Sequence, residues 1–99
     1  MRMLLKMQMD VDAGNRAIKD GSFGEMLERV MGQIKPEAAY FTAIDGKRTG
    51  LIFFDLEDPS QIPVIAEPFF MTVDAAIELL PVMTPDEVQK GLEEAAKDF

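Results

Sequence analysis

The first residues of the chain alternate between apolar and polar side chains. Within Met3–Val11, apolar residues occupy every second position, and Lys6, Gln8 and Asp10 lie between them. Successive side chains of a β-strand point to opposite faces of its sheet, so this period of two predicts a strand over Met3–Val11. The methionine-rich side of this strand is expected to face a core.

The period then changes to that of a helix. Asp12–Asp20 predicts a short helical segment closed by Gly21, and Ser22-Phe23-Gly24-Glu25 has the spacing of a capping box. The helix that starts there carries an apolar stripe formed by Met26, Leu27, Val30, Met31 and Ile34. Lys35-Pro36 is predicted to end this helix, because the residue before a proline disfavours the helical conformation.

A β-hairpin is predicted in the middle of the chain. Asp45-Gly46 lies between two strand-like runs, Ala38–Ile44 and Lys47–Leu56. Asp-Gly favours a type I′ turn, since both central residues of that turn need positive φ. A turn of this kind also sets the pairing of the two strands. The expected pairs are Ile44 with Lys47, Thr42 with Thr49, Tyr40 with Leu51, and Ala38 with Phe53.

Two helices and one strand are predicted in the remainder. Ile62–Phe70 has the apolar spacing of a helix that is shortened or kinked at Pro68. Ala75–Met83 predicts a fourth strand. Thr84-Pro85-Asp86-Glu87 combines an N-cap, a proline in the first turn and a glutamate at the third position, which predicts a last helix that runs to about Lys97.

The predicted order of elements is β-α-β-β-α-β with a C-terminal helix, which is the ferredoxin-like arrangement of the α+β class. Right-handed crossovers then give a four-stranded antiparallel sheet in the order 4-1-3-2, with the helices between the strands on one face. The length of 99 residues fits one domain, so residues 1–99 are expected to form a single ferredoxin-like domain.

The two faces of this sheet differ in polarity. The face expected under the helices is apolar and includes Phe41, Ile52 and Phe54. The opposite face, called the mixed face from here on, carries Leu4, Lys6, Gln8, Tyr40, Thr42, Leu51, Phe53, Asp55, Glu78, Leu80 and Val82. Soluble monomers rarely expose such an apolar patch, so we expect the mixed faces of two copies to pack together in a homodimer. The alternative is a monomer whose C-terminal helix folds across the mixed face.

Charge and composition limit the partners of the chain. Its 18 acidic residues outnumber 10 basic ones, and the net charge of −8 without a Lys/Arg cluster argues against nucleic-acid binding. Cysteine and histidine are absent, so no cofactor or metal site of the zinc, haem or iron–sulfur kind is expected. Neither a signal peptide nor an apolar run of membrane-spanning length is visible, and a cytoplasmic location is expected.

Polar residues on the mixed face form a candidate ligand site. Lys6, Asp55 and Glu78 lie on neighbouring predicted strands and, with Tyr40, could bind a carboxylate or phenol or move a proton. The alternative is a set of cross-strand ion pairs at the dimer interface. The candidate ligand-binding residues are Lys6, Tyr40, Phe53, Asp55, Glu67, Phe69 and Glu78, and one pocket lined by Tyr40, Lys6, Phe53, Glu67 and Phe69 is expected.

One of these candidate residues, Glu67, and one arginine outside the set, Arg48, each have an alternative assignment. Glu67 precedes Pro68 and Phe69 and either caps that pocket or lies exposed on a helix, as glutamate most often does. Arg48 beside the hairpin turn either clamps an anionic substrate or is an exposed arginine of the hairpin.

The order of elements, the length, the Asp45-Gly46 hairpin and the Glu67-Pro68-Phe69-Phe70 segment before the last strand resemble the dimeric α+β barrel superfamily. That superfamily includes muconolactone isomerase-like, antibiotic-biosynthesis monooxygenase-like and stress-responsive barrel proteins. The resemblance implies two facing sheets and a cleft between sheet and helices that takes small organic molecules. Its haem-binding members and cofactorless oxygenases rely on histidine or tryptophan, which this chain lacks.

The function expected from the sequence is therefore that of a homodimeric small-molecule-binding protein. If it is an enzyme, the expected reaction is cofactorless proton transfer, such as isomerisation or cyclisation of a hydrophobic acid or enone. Tyr40 or Lys6 would polarise an oxygen, and Glu78 or Asp55 would act as the base. The alternative is a noncatalytic dimerisation or interaction module.

Overall fold

A computed structural model describes residues 1–99 as an α+β fold in which three helices cover one face of a four-stranded sheet. The elements are β1 Arg2–Gln8, α1 Val11–Asp20, α2 Ser22–Ile34, β2 Ala38–Ile44, β3 Lys47–Asp55, α3 Gln61–Val73, β4 Ala76–Pro81 and α4 Pro85–Ala95. A short 3₁₀ turn, Ala96–Asp98, follows α4.

The strands lie in the order β2-β3-β1-β4, and all neighbours are antiparallel. Counted from the β4 edge, this order reads 4-1-3-2. The hairpin joins β2 and β3 through Asp45 and Gly46, whose φ angles of 55° and 75° are those that a type I′ turn requires. The predicted pairing is confirmed, because Ile44 lies opposite Lys47 and every other pair follows.

The core lies between the sheet and the helices. Alternate residues of β1 and β3 point toward it, and the apolar sides of α2 and α3 close it from above. The residues that are fully or almost fully buried there include Leu5, Met7, Met26, Val30, Ile52, Phe54, Ile65, Phe69 and Val73. The apolar stripe predicted for α2 faces this core, since its members are either buried or packed against it.

The helix starts differ from the sequence predictions in two places. β1 ends at Gln8 rather than Val11, because the Asp10 carboxylate accepts a hydrogen bond from Ala13 N at 2.9 Å and caps α1. The capping box predicted at Ser22 does not form. Gly21, with a φ of 83°, ends α1 and also precedes the first residue of α2, so Ser22 is already helical.

α3 continues through Pro68 to Val73, so the predicted shortening of this helix is wrong. Proline removes one backbone hydrogen bond from a helix interior. Here Ile65, Phe69 and Val73, spaced four residues apart, are all buried on the side of α3 that packs on the core. The apolar contact of the whole helix therefore outweighs the hydrogen bond that Pro68 cannot make.

α4 has the helix start that the sequence predicts but not a place in the core. Thr84 Oγ1 accepts from Glu87 N at 3.2 Å, and Glu87 Oε1 accepts from Thr84 N at 2.9 Å, which completes the capping box. No residue of α4 is buried, and the molecule is 55 Å long with a radius of gyration of 16.0 Å. A compact chain of this length has a radius of gyration of about 13 Å. α4 therefore extends from the body and leaves the mixed face uncovered.

We predict that Phe69→Ala lowers the free energy of unfolding by about 3–5 kcal/mol, because it leaves a cavity in the closed core. Glu67→Ala, on the exposed side of the same helix, should change it by less than about 0.5 kcal/mol. Urea unfolding of both variants at one protein concentration measures the difference. Equal effects of the two substitutions would contradict the assignment of Phe69 to the core.

Candidate functional site

A cleft of 390 Å³ lies between the sheet and α2, near the hairpin turn. Residues from five parts of the chain line it: Met7 of β1, Met9 just after it, Phe23 and Leu27 of α2, Phe41 and Thr42 of β2, and Arg48 and Thr49 of β3. Phe23 and Leu27 are four residues apart, so they lie on the same side of α2. The lining is mainly apolar, and Arg48 is its single charged residue.

The cleft exists because the helices do not reach the edge of the sheet. Phe41 points to the helix side of β2, yet its side chain is 52% exposed. Gly50 lies opposite Phe41, and a Cβ atom on Gly50 would stand 3.1 Å from Phe41 Cε1 and 3.1 Å from Met7 Cε. The missing side chain of Gly50 lets Phe41 and Met7 approach each other across β3. These two side chains form one wall of the cleft.

Arg48 is held at the cleft by two contacts. Its carbonyl oxygen accepts a hydrogen bond from Met9 N at 2.9 Å, which ties the start of β3 to the end of β1. Its guanidinium lies against Gly14 of α1, where a Cβ atom would stand 2.9 Å from Arg48 Nη1 and 3.1 Å from Met9 Cε. Glycine inside a helix makes that helix less stable than alanine would, by about 1 kcal/mol. The space it leaves is the space that the guanidinium uses.

The Arg48 guanidinium has no acidic partner in the chain. The ion pairs within 4.0 Å join the N-terminal ammonium to Asp55, Arg2 to Glu37 and Glu87, and Lys97 to Glu94. The neighbouring Thr49, only 1% exposed, uses its hydroxyl internally, donating to the Lys47 carbonyl and accepting from Gln8. The cleft thus combines apolar walls with one cation that is free to accept an anionic partner.

Five of the residues expected at a ligand site lie together on the mixed face. Tyr40, Leu51, Lys6 and Glu78 form one row across the four strands, with Lys6 directly between Leu51 and Glu78. Phe53 lies in the next row, beside Leu4 and Leu80. Asp55 lies farther along β3 and binds the N-terminal ammonium at 2.7 Å.

Glu67 and Phe69 lie on the other side of the sheet, because α3 packs on the helix-covered face. Phe69 is fully buried in the core, and Glu67 is exposed to solvent. The prediction of one pocket lined by Tyr40, Lys6, Phe53, Glu67 and Phe69 is therefore wrong. None of the seven candidate residues lines the cleft.

The sequence pattern does not bring the residues of the cleft together. Leu27 and Phe41 have the periodicity of core residues, and Phe23 belongs to the predicted helix start Ser22–Glu25. Arg48 is exposed, as one of its two alternatives expects, and it also lies at the edge of the apolar cleft. A glycine inside the predicted first helix, Gly14, was the available signal that a bulky neighbour lies close.

The shifted ionisable groups lie outside the cleft. Hydrogen bonding to Glu37 raises the pKa of Arg2, and the Ser22 and Ser60 hydrogen bonds lower the pKa values of Asp20 and Asp58. The hydrogen bonds of the Thr84 capping box lower the pKa of Glu87. Each of these hydrogen bonds belongs to a turn, a helix start or an ion pair on the surface. They mark local structure rather than an acid–base centre.

No protein-family model matches the chain, and a search of curated proteins gives no match. None of the helices has both the length and the apolar character needed to cross a membrane. No group of three acidic side chains lies close enough together to hold a metal ion.

Proposed function

We propose that this chain is a homodimeric protein that binds a small apolar organic molecule in the cleft between its sheet and α2. The observation that carries the proposal is the 390 Å³ cleft with its five apolar lining residues. Sites for small molecules are typically concave, mainly apolar and about 300–1,000 Å³ in volume. The position of the cleft, between sheet and helices, is also that which the resemblance to dimeric α+β barrel proteins implies.

The size and walls of the cleft define the kind of molecule that fits. An apolar cavity of about 150 Å³ accommodates benzene. The present cleft is more than twice that volume and has room for a ring with a short chain or for a medium-length alkyl chain. The aromatic edge of Phe41 and the flexible thioethers of Met7 and Met9 adapt to either shape.

The cleft supports binding rather than proton transfer. General acid–base catalysis needs a titratable group within hydrogen-bonding distance of the reacting atom. No aspartate, glutamate, lysine or tyrosine lines the cleft. The groups that could move a proton, Tyr40, Lys6 and Glu78, lie on the opposite side of the sheet. A binding function requires none of these groups. The residues that line the cleft therefore give no support to the hypothesis of an isomerase or cyclase.

The proposal of a homodimer rests on the residues of the mixed face. Leu4, Leu51 and Phe53 are only half-buried in the single chain, and Leu80 is 44% exposed. Lys6 and Glu78 lie side by side on this face. A two-fold axis brings the same patch of both copies together, so a patch with adjacent opposite charges complements itself. A second copy therefore fits this face in both apolar character and charge.

α4 adds to the same dimer. Its apolar side chains Val88 and Leu92, with Phe99 after it, are exposed because the helix extends from the body. The link from α4 to the body is an ion pair between Arg2 Nη1 and Glu87 Oε1 at 3.6 Å. We expect this apolar stripe to pack on the partner in the dimer, which enlarges the interface beyond the sheet toward the size of stable interfaces.

We predict a mass of twice 11.0 kDa for the chain in solution, and a shift toward 11.0 kDa for Leu80→Glu. The substitution places an uncompensated charge at the interface from each copy, which should raise the dimer dissociation constant by at least about a hundredfold. Met71→Glu, at an 80% exposed position on α3, is the matched control and should leave the dimer intact. Light scattering measures all three masses.

A wild-type mass of 11.0 kDa at high concentration contradicts the dimer. Equal effects of Leu80→Glu and Met71→Glu would place the interface elsewhere than on the mixed face.

We predict that octanol binds in the cleft and that Leu27→Trp weakens this binding at least about tenfold, because the indole fills the space that the ligand needs. Met31→Trp is the matched control, since Met31 lies one turn farther along α2 and does not line the cleft. Titration followed by the methyl signals of Met7 and Met9, in spectra of methionine-labelled protein, measures the binding.

Unchanged octanol affinity in Leu27→Trp would contradict the proposed site. Dimerisation without any response of Met7 and Met9 to octanol would favour the alternative function, a noncatalytic interaction module.

A further inference from the structure

We infer that Arg48 anchors the charged end of the ligand, so that the cleft selects apolar carboxylic acids over neutral molecules of the same shape. This inference rests on the proposed function, since it names the class of molecule that the cleft binds. It adds a specificity-determining residue to a site whose apolar walls alone do not discriminate between an acid and an alcohol.

The position of the guanidinium carries the inference. Arg48 is the one charged residue that lines the cleft, and its backbone is fixed by the hydrogen bond from Met9 N at 2.9 Å. Its Nη1 atom lies against Gly14, in space that any larger residue would fill. A strand-end hydrogen bond thus fixes the backbone of Arg48, and a helix glycine leaves room for its guanidinium beside the apolar cleft.

The guanidinium also lacks a partner within the protein. No carboxylate lies within 4.0 Å of it, whereas Arg2 is paired with two glutamates. Arginine binds carboxylates through two parallel charge-assisted hydrogen bonds, which are stronger than hydrogen bonds between neutral groups. An entering carboxylate can make those bonds while its apolar part lies against Met7, Phe23 and Leu27.

The acidic surface does not outweigh this local attraction. The chain has a net charge of −8, which by itself repels an anion. At physiological ionic strength, however, charges more than about 8 Å apart are largely screened from each other. The strongest electrostatic interaction of a carboxylate in contact with Arg48 is therefore with that guanidinium rather than with the net charge of the chain.

Lys47 provides a matched control for Arg48. The two residues are neighbours on β3, so their side chains leave the strand on opposite faces of the sheet. Lys47 is exposed, pairs with Ile44 across the hairpin and does not line the cleft. Removing either positive charge changes the net charge of the chain by the same amount. Only the removal of Arg48 should change the choice of ligand.

The experiment compares octanoate with octanol, two probes with the same alkyl chain, by titration of the Met7 and Met9 methyl signals. We expect wild-type protein to bind octanoate about tenfold more tightly than octanol. Arg48→Gln should abolish this preference, because glutamine has no charge to pair with the carboxylate. Lys47→Gln should keep the preference, and Arg48→Lys should keep part of it, because lysine retains the charge without the planar fork.

Gly14→Ala separates the positioning of Arg48 from the stability of the fold. The added methyl group would stand 2.9 Å from Arg48 Nη1, so the guanidinium must move. Alanine also favours the helix more than glycine does. We therefore expect a smaller preference for octanoate over octanol and an equal or higher Tm. A purely structural role of Gly14 would instead lower the Tm or leave the octanoate affinity unchanged.

Each outcome is decisive. Equal affinity of wild-type protein for octanoate and octanol, or a preference that survives in Arg48→Gln, overturns the role of Arg48 and leaves the proposed cleft intact. Failure of both probes to shift the Met7 and Met9 signals overturns the cleft itself, and the inference with it.

Discussion

A β-sheet has two faces, and the three helices that pack in this chain cover just one of them. The covered face holds the closed core around Leu5, Ile52 and Phe69. The mixed face keeps Leu51 and Phe53 only half-buried, and α4, the one element left to cover it, extends away from the body. The need to bury the apolar part of this second face underlies the proposed dimer, and it explains why an apolar helix stripe remains exposed at the end of the chain.

The cleft also forms because the helices leave part of the sheet uncovered. The helices leave the helix side of β2 partly open, so that Phe41 forms a wall rather than part of a closed core. Two glycines leave space for the side chains that border the cleft. Gly50 lets Phe41 approach Met7, and Gly14 makes room for Arg48. The cleft is therefore a region where packing is incomplete, bordered by one cation that has no acidic partner within the chain.

Local chemistry in the sequence was sufficient to predict the strands, the hairpin pairing and the two faces of the sheet. Alternation assigns each side chain to a face, and Asp45-Gly46 sets the register, because both effects depend on neighbouring residues alone. The capping box predicted for α2 does not form, because Gly21 ends α1 and directly precedes the first residue of α2. The pocket was misplaced because Glu67 and Phe69 belong to a helix that packs on the opposite face from Tyr40. A cleft formed by five separate parts of the chain depends on how far α2 reaches across the sheet, which periodicity does not encode.

The proposed dimer is tested most directly by an isotope-filtered NOE experiment on a mixture of labelled and unlabelled chains, which detects contacts between different copies. We expect Leu51 and Phe53, near the centre of the mixed face, to give contacts between copies. Contacts of Leu51 and Phe53 with Leu92 of the same chain, without any between copies, would show α4 folded back over the sheet and would contradict the dimer.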